Sequence, residues 1–220
     1  MNISNQEHQQ DLHHIKQMME RSSRFISLSG LSGIAAGSCA LVGAYFAYDV
    51  ITDSRGIVLK SLDININETS RTGNISIESF MGNRLFVIAI ITFISAFILS
   101  FLFTYLRSKK TNTPLWGANS KRLFVNVMIP MIAGGIYLLK LIENEAYGLI
   151  APGCLIFYGL ALVNASKYTL GEVRYLGYCQ IALGLINLWF IGFGLYFWAI
   201  GFGLLHIAYG VYMWNKYERE

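Results

Sequence analysis

Three prolines and three cysteines in 220 residues leave little to break helices or to cross-link them, and charged residues make up only 14% of the chain. That shortage of charge excludes an ordinary soluble domain, whose residues are charged about one time in four. Cys39, Cys154 and Cys179 each fall inside a long apolar run, where the surroundings keep a thiol protonated and inert. They are expected to be small packing residues, not a disulfide framework. A GxxxxGK[ST] phosphate loop, an HExxH helix, a CxxC pair and a pair of carboxylates within an apolar run are all missing. The last absence weighs against a proton-coupled pump, whose relays use Asp or Glu inside the bilayer. Residues 1–23 also lack the charged-then-apolar order of a cleavable signal, so the first apolar run is expected to stay as an anchor.

What the chain does have is apolar length, with hydrophobic residues at 54% and gathered into six runs. A hydrocarbon core of ~30 Å takes about 20 helical residues to cross, because unpaired backbone amides are too costly in oil for any open structure. Run length and flanking charge place spans at 25–48, 84–106, 122–142, 147–165, 172–189 and 191–214. The expected fold is an all-α membrane protein, a bundle of six transmembrane helices in three hairpins. Residues 24–220 make one membrane domain, preceded by a short segment 1–23 and interrupted by one outer loop at 51–83.

Basic residues resist translocation and gather on the cytoplasmic side. Lys16, Arg21 and Arg24, then Arg107, Lys109, Lys110, Lys121 and Arg122, then Lys167, Arg174, Lys216 and Arg219 all belong to one face. The opposite face has Arg55, Lys60, Arg71, Arg84 and Lys140, mostly diluted through a polar loop. Both termini are therefore expected in the cytoplasm, with the chain in a bacterial inner membrane. The net charge of +4 reads as a topological signal and not as nucleic-acid affinity.

Ser4 and Glu7 have capping-box spacing, and Leu12, Ile15 and Met19 follow on one helical face. Residues 1–23 thus read as a cytoplasmic amphipathic helix lying on the membrane or on a partner. His8, His13 and His14 lack the companion ligands of a metal site, so no metal and no cofactor is expected. In the outer loop, Leu62, Ile64 and Ile66 alternate with Asp63, Asn65 and Asn67, and Ile75 and Ile77 follow a turn-rich stretch. This predicts a small β-hairpin, more simply a lid over helix ends than a ligand site. Asn67 and Asn74 match glycosylation acceptors, a pattern common by chance.

Small residues carry a packing code. Gly30, Gly33, Gly37, Ala40, Ala44 and Ala47 recur at steps of three and four along the first span, which permits close backbone approach within the chain or in a homo-oligomer. In the fifth span Arg174, Gly177, Gln180, Gly184 and Asn187 share a face, and in the sixth Ala199, Gly203, His206 and Gly210 do. These two faces are expected to meet. His206 is the ionisable residue deepest in a span, which makes it a functional candidate. Counting ~1.5 Å per residue from the turn near Phe190 puts it level with Arg174. With Asn164, Lys167, Glu172 and Gln180 these two outline a polar pocket open to the cytoplasm. Pro130 and Pro152, helped by Gly134, Gly135 and Gly153, are expected to break the third and fourth spans and expose backbone to a solute.

Gly30, Leu31, Ser32 and Gly33 spell GxSG, and with a histidine in the last of six spans the chain resembles the rhomboid intramembrane serine proteases in that fragment. That resemblance implies Ser32 as nucleophile and His206 as base. Against it, the rhomboid serine lies on the fourth helix near the outer face, and the HxxxxN motif and Trp-Arg pair of that family are missing here. Over SSRFISLSGLSG (Ser22 to Gly33) and ASKYTLGEVRYLGYC (Ala165 to Cys179) the chain resembles a group of small multi-pass bacterial membrane proteins. This second resemblance implies an intact membrane domain and no activity. Three functions remain in view: a non-enzymatic signalling, regulatory or scaffold module with a cytoplasmic or membrane protein partner; a small-solute transporter or channel with a cytoplasmic vestibule; and an intramembrane hydrolase.

Overall fold

The computed structural model describes residues 29–62, 84–111 and 118–219, and all the regular structure among them is helical. The elements are α1 (Gly30–Leu62), α2 (Arg84–Thr111), α3 (Ala118–Glu143), a 3-10 turn (Tyr147–Leu149) running into α4 (Ile150–Ala165), α5 (Val173–Asn187) and α6 (Gly194–Tyr217). Within α6 the segment Ala199–Leu205 is π-helical. The amphipathic helix expected at 1–23 and the hairpin expected beyond Leu62 lie outside the described residues. In place of a loop from residue 51, α1 continues to Leu62.

Among the described residues five helices are long and apolar enough to cross a bilayer: Gly30–Asp53 of α1, most of α2 and of α3, Tyr147–Ala165, and α6. The exception is α5. Its 15 residues span only ~22 Å at 1.5 Å per residue, short of a ~30 Å hydrocarbon core.

The helices associate through glycine, as expected where lipid offers no hydrophobic drive for close approach. A Cβ added at Gly30 would stand 2.5 Å from the Gly210 carbonyl, one at Gly33 3.1 Å from the Gly210 Cα, and one at Gly37 2.6 Å from the Gly203 carbonyl. Thus α1 and α6 meet backbone to backbone. On its other side α1 receives α2, where Gly43 accommodates Thr92 and the Ser100 hydroxyl donates to the Ser32 carbonyl at 3.1 Å. In the other half of the bundle α4 and α5 share a second glycine seam. A Cβ at Gly159 would stand 2.8 Å from the Gly177 carbonyl, and one at Gly184 3.0 Å from the Pro152 carbonyl. On the far side of α4 lies α3, with Gly134 against the Phe157 ring.

These contacts correct the expected pairing of faces. On α5, Gly177 and Gly184 turn toward α4, and on α6, Gly203 and Gly210 turn toward α1; Gln180 hydrogen-bonds α5 to α6. The reason is angular. At 100° per residue Gly177 and Gly184 lie about 20° apart, while Gln180 and Asn187 sit roughly 60° round from them. One face therefore has two flanks, and α5 occupies the corner between α4 and α6.

Neither proline breaks its helix. Pro152 sits in the first turn of α4, where an amide hydrogen has no helical partner to lose. Pro130 lies mid-helix, yet α3 is continuous through it. Its missing N–H orphans the carbonyl of Asn126, four residues earlier, and the Asn164 side-chain amide of α4 donates to that oxygen at 2.8 Å. A neighbouring helix thus replaces the lost bond.

Candidate functional site

The residues gathered into one pocket by sequence spacing separate in the structure into a buried core and four surface or seam positions. Asn164 is the proline partner already described. Arg174 is exposed, its Nε 3.4 Å from the Ser166 hydroxyl. Lys167 is exposed on the connection between α4 and α5. Glu172 accepts hydrogen bonds from Lys216 Nζ at 2.5 Å and from the Tyr217 hydroxyl at 2.8 Å, tying that connection to the end of α6. Partial burial pushes the Glu172 carboxyl up, but those two hydrogen bonds, a backbone hydrogen bond and the Lys216 charge together hold the group below its ordinary range.

Only His206 and Gln180 come together. Gln180 is wholly buried and His206 is 6% exposed. The Gly201 carbonyl, inside the π stretch, accepts from Gln180 Nε2 at 2.7 Å and from His206 Nδ1 at 2.9 Å. A carbonyl only accepts, so Nδ1 donates to it, and in the neutral ring Nε2 accepts from the Tyr158 hydroxyl at 2.8 Å. Both ring nitrogens are thus engaged. Phe202 stacks along it and Tyr158 tilts against it. The π segment widens the helix locally, and such segments recur at functional positions.

The level estimate erred for a definable reason. Gln180 lies seven residues before the end of α5, and Gly201 seven after the start of α6, so those two are opposite one another. A helical side chain leans toward its own N-terminus, and His206 reaches back five residues to that same level. Arg174 lies six residues further along α5, about 9 Å away along the axis.

The rhomboid-like pairing is not formed. Ser32 is buried and its hydroxyl donates to the Ser29 carbonyl at 2.5 Å, while the imidazole faces Tyr158 and Gly201. A nucleophile needs its base within hydrogen-bond reach, and here each group is bound elsewhere. Among the described residues no three His, Cys, Asp or Glu side chains are grouped to hold a metal ion.

Sequence reasoning missed three participants. Tyr158 was legible only as a polar tip inside an apolar run. Asn126 had one available signal, its position four residues before Pro130. Glu218 had none: its carboxylate pairs with Arg107 at the end of α2, accepts from the Gly30 amide, and accepts from the Ser29 hydroxyl at 3.2 Å.

Two fully buried side chains carry acceptors, Gln180 Oε1 and Asn187 Oδ1, that have no hydrogen-bond partner among the described residues. Aromatic rings are exposed at both ends of the bundle, with Trp189 and Phe190 at one and Tyr212 and Tyr217 at the other, as in interfacial belts. Comparison with known proteins gives no match, whether to family models, to curated sequences or to solved structures.

Proposed function

We propose that the chain is a non-enzymatic module of a bacterial inner membrane, crossing it six times as three hairpins with both termini in the cytoplasm, and serving as a signalling, regulatory or scaffold element. In this arrangement α5 is the shortest crossing. The observation that carries the reading is where the candidate polar side chains go. Asn164, Gln180, His206 and Glu172 each join one helix or connection to another and so hold the bundle together, instead of lining an opening. The unbroken α3 and α4 support it further, since the solute path expected at Pro130 and Pro152 needs interrupted helices. The sidedness is supported by the gathering of Arg107, Lys109, Lys110, Lys121, Arg122, Lys167, Arg174 and Lys216 at one end of the bundle.

The test is affinity purification in mild detergent of the full chain and of residues 24–220. The shortened protein should remain monodisperse and lose a partner that the full chain retains; recovery of the same proteins with both would end the reading. Reporter fusions at either terminus test the sidedness separately.

A second reading, passage of a small neutral solute, is favoured by one observation. Gln180 Oε1 and Asn187 Oδ1, both unpartnered, lie seven residues apart on one flank of α5, with the π stretch of α6 beside Gln180. Osmotic swelling of proteoliposomes, wild type against Gln180→Leu, separates the two.

A further inference from the structure

The end of the bundle that collects the basic residues also holds a carboxylate strap. Glu218, just past α6, meets three donors from two other helices: the Gly30 amide and the Ser29 hydroxyl at the start of α1, and the Arg107 guanidinium near the end of α2. Two residues earlier Lys216 is fastened to Glu172, so the segment 216–218 is held on two sides. The Glu218 and Arg107 side chains are only 14% and 12% exposed. A helix N-terminus with a nearby guanidinium is a strong oxyanion cradle, since the macrodipole and the fork of donors act on the same oxygens. Here a carboxylate of the chain itself occupies it.

The surroundings fit a second occupant. Lys109 and Lys110 follow Arg107 within the last turn of α2, and Lys109 lies over the Tyr105 ring at 4.9 Å. Leu102, Tyr105 and Leu106 present outward apolar surface on the turns just before. Apolar side chains next to a basic cluster match an anionic phospholipid, with acyl chains along α2 and phosphate at its end.

We propose that Glu218 is a tethered competitor for a phosphate-binding corner made by Ser29, Gly30 and Arg107, and that the headgroup phosphate of an anionic lipid displaces it. Displacement frees the segment after α6 from α1 and α2 while the glycine seams keep the helices packed. The strap thereby couples the lipid charge of one leaflet to the release of the C-terminal segment.

The full-length protein, delipidated in detergent, is titrated with phosphatidylglycerol or phosphatidylcholine, and bound lipid is read by native mass spectrometry. Glu218→Gln weakens the competitor and should raise phosphatidylglycerol affinity about tenfold, the effect of one charge-assisted contact. Adding Arg107→Gln should abolish that gain. Truncation after Tyr217 provides a second route to the same gain should Glu218→Gln fail to fold. An unchanged affinity in both Glu218→Gln and the truncation, a gain that survives Arg107→Gln, or an equal gain for phosphatidylcholine overturns the proposal. Inorganic phosphate is the remaining arm: blocking phosphatidylglycerol at low millimolar concentration would show that free phosphate and not lipid is the natural occupant, and would overturn it too.

Discussion

Replacing Asn164 by Ala removes the side-chain amide that satisfies the Asn126 carbonyl, and the size of the loss should depend on residue 130. With proline there, the carbonyl has no helical donor, and its 2.8 Å bond from Asn164 is the replacement. Hydrogen bonds between membrane helices average about 0.6 kcal/mol and reach about 1.7 in double-mutant cycles. An acceptor stranded by proline belongs toward the upper part of that range, so Asn164→Ala should destabilise by about 1–1.5 kcal/mol. In a Pro130→Ala background the new amide at 130 restores the helical bond to Asn126, and the same substitution should fall to a few tenths of a kcal/mol. A coupling of about 1 kcal/mol is therefore expected. Unfolding in mixed micelles with increasing denaturing detergent, followed by helical circular dichroism, measures all four proteins. Equal losses for Asn164→Ala in both backgrounds would refute the reasoning, because the amide would then be stabilising something other than the proline's carbonyl.

Four further outcomes follow from the contacts described above. Gly210→Ala, whose Cβ would stand 2.6 Å from both the Gly30 carbonyl and the Ile34 amide, should destabilise by about 1–3 kcal/mol. Gly135→Ala, with nothing within 4 Å, should be neutral or stabilising by up to ~1 kcal/mol, and the micelle assay compares the two. Tyr158→Phe leaves His206 Nε2 without its donor and should lower stability by about 1 kcal/mol, whereas a loss within error would remove the Tyr158 bond from the core. Glu172 is held below its ordinary range, so its contribution is fully present above that range and fades as pH falls through it. Thermal denaturation in detergent should accordingly show a steeper acid loss for the native protein than for Glu172→Gln.

Apolar length made the helices legible. The expected 84–106, 122–142 and 147–165 lie within or beside α2, α3 and the 3-10 turn with α4, because an apolar run of that size has few alternatives to a helix. The end of α1 was not legible, since the polar residues after Tyr48 signal departure from lipid and not the end of a helix. Pro130 was read as a break because its remedy, Asn164, lies on another helix, and sequence gives no view of which side chain stands opposite. The pocket was assembled from levels along axes; levels ignore the backward lean of His206 and the separate flanks of α5, so two of its six members met. The π register that presents the Gly201 carbonyl to two donors was not legible, since it depends on how α6 packs and not on a local motif.

The brevity of α5 bears on the lipid around it. Its outward side chains, Tyr175, Tyr178, Leu185 and Ile186, are exposed over a helix some 8 Å shorter than an average hydrocarbon core. In the proposed six-crossing arrangement, acyl chains on that flank would have to compress or tilt to meet it, at a fraction of a kcal/mol per Å, while the longer α2 and α3 would impose no such demand. A thickness gradient would then be built into that arrangement. Such a pinched edge would draw short-tailed lipids, and two pinched edges would attract one another through the deformation they share.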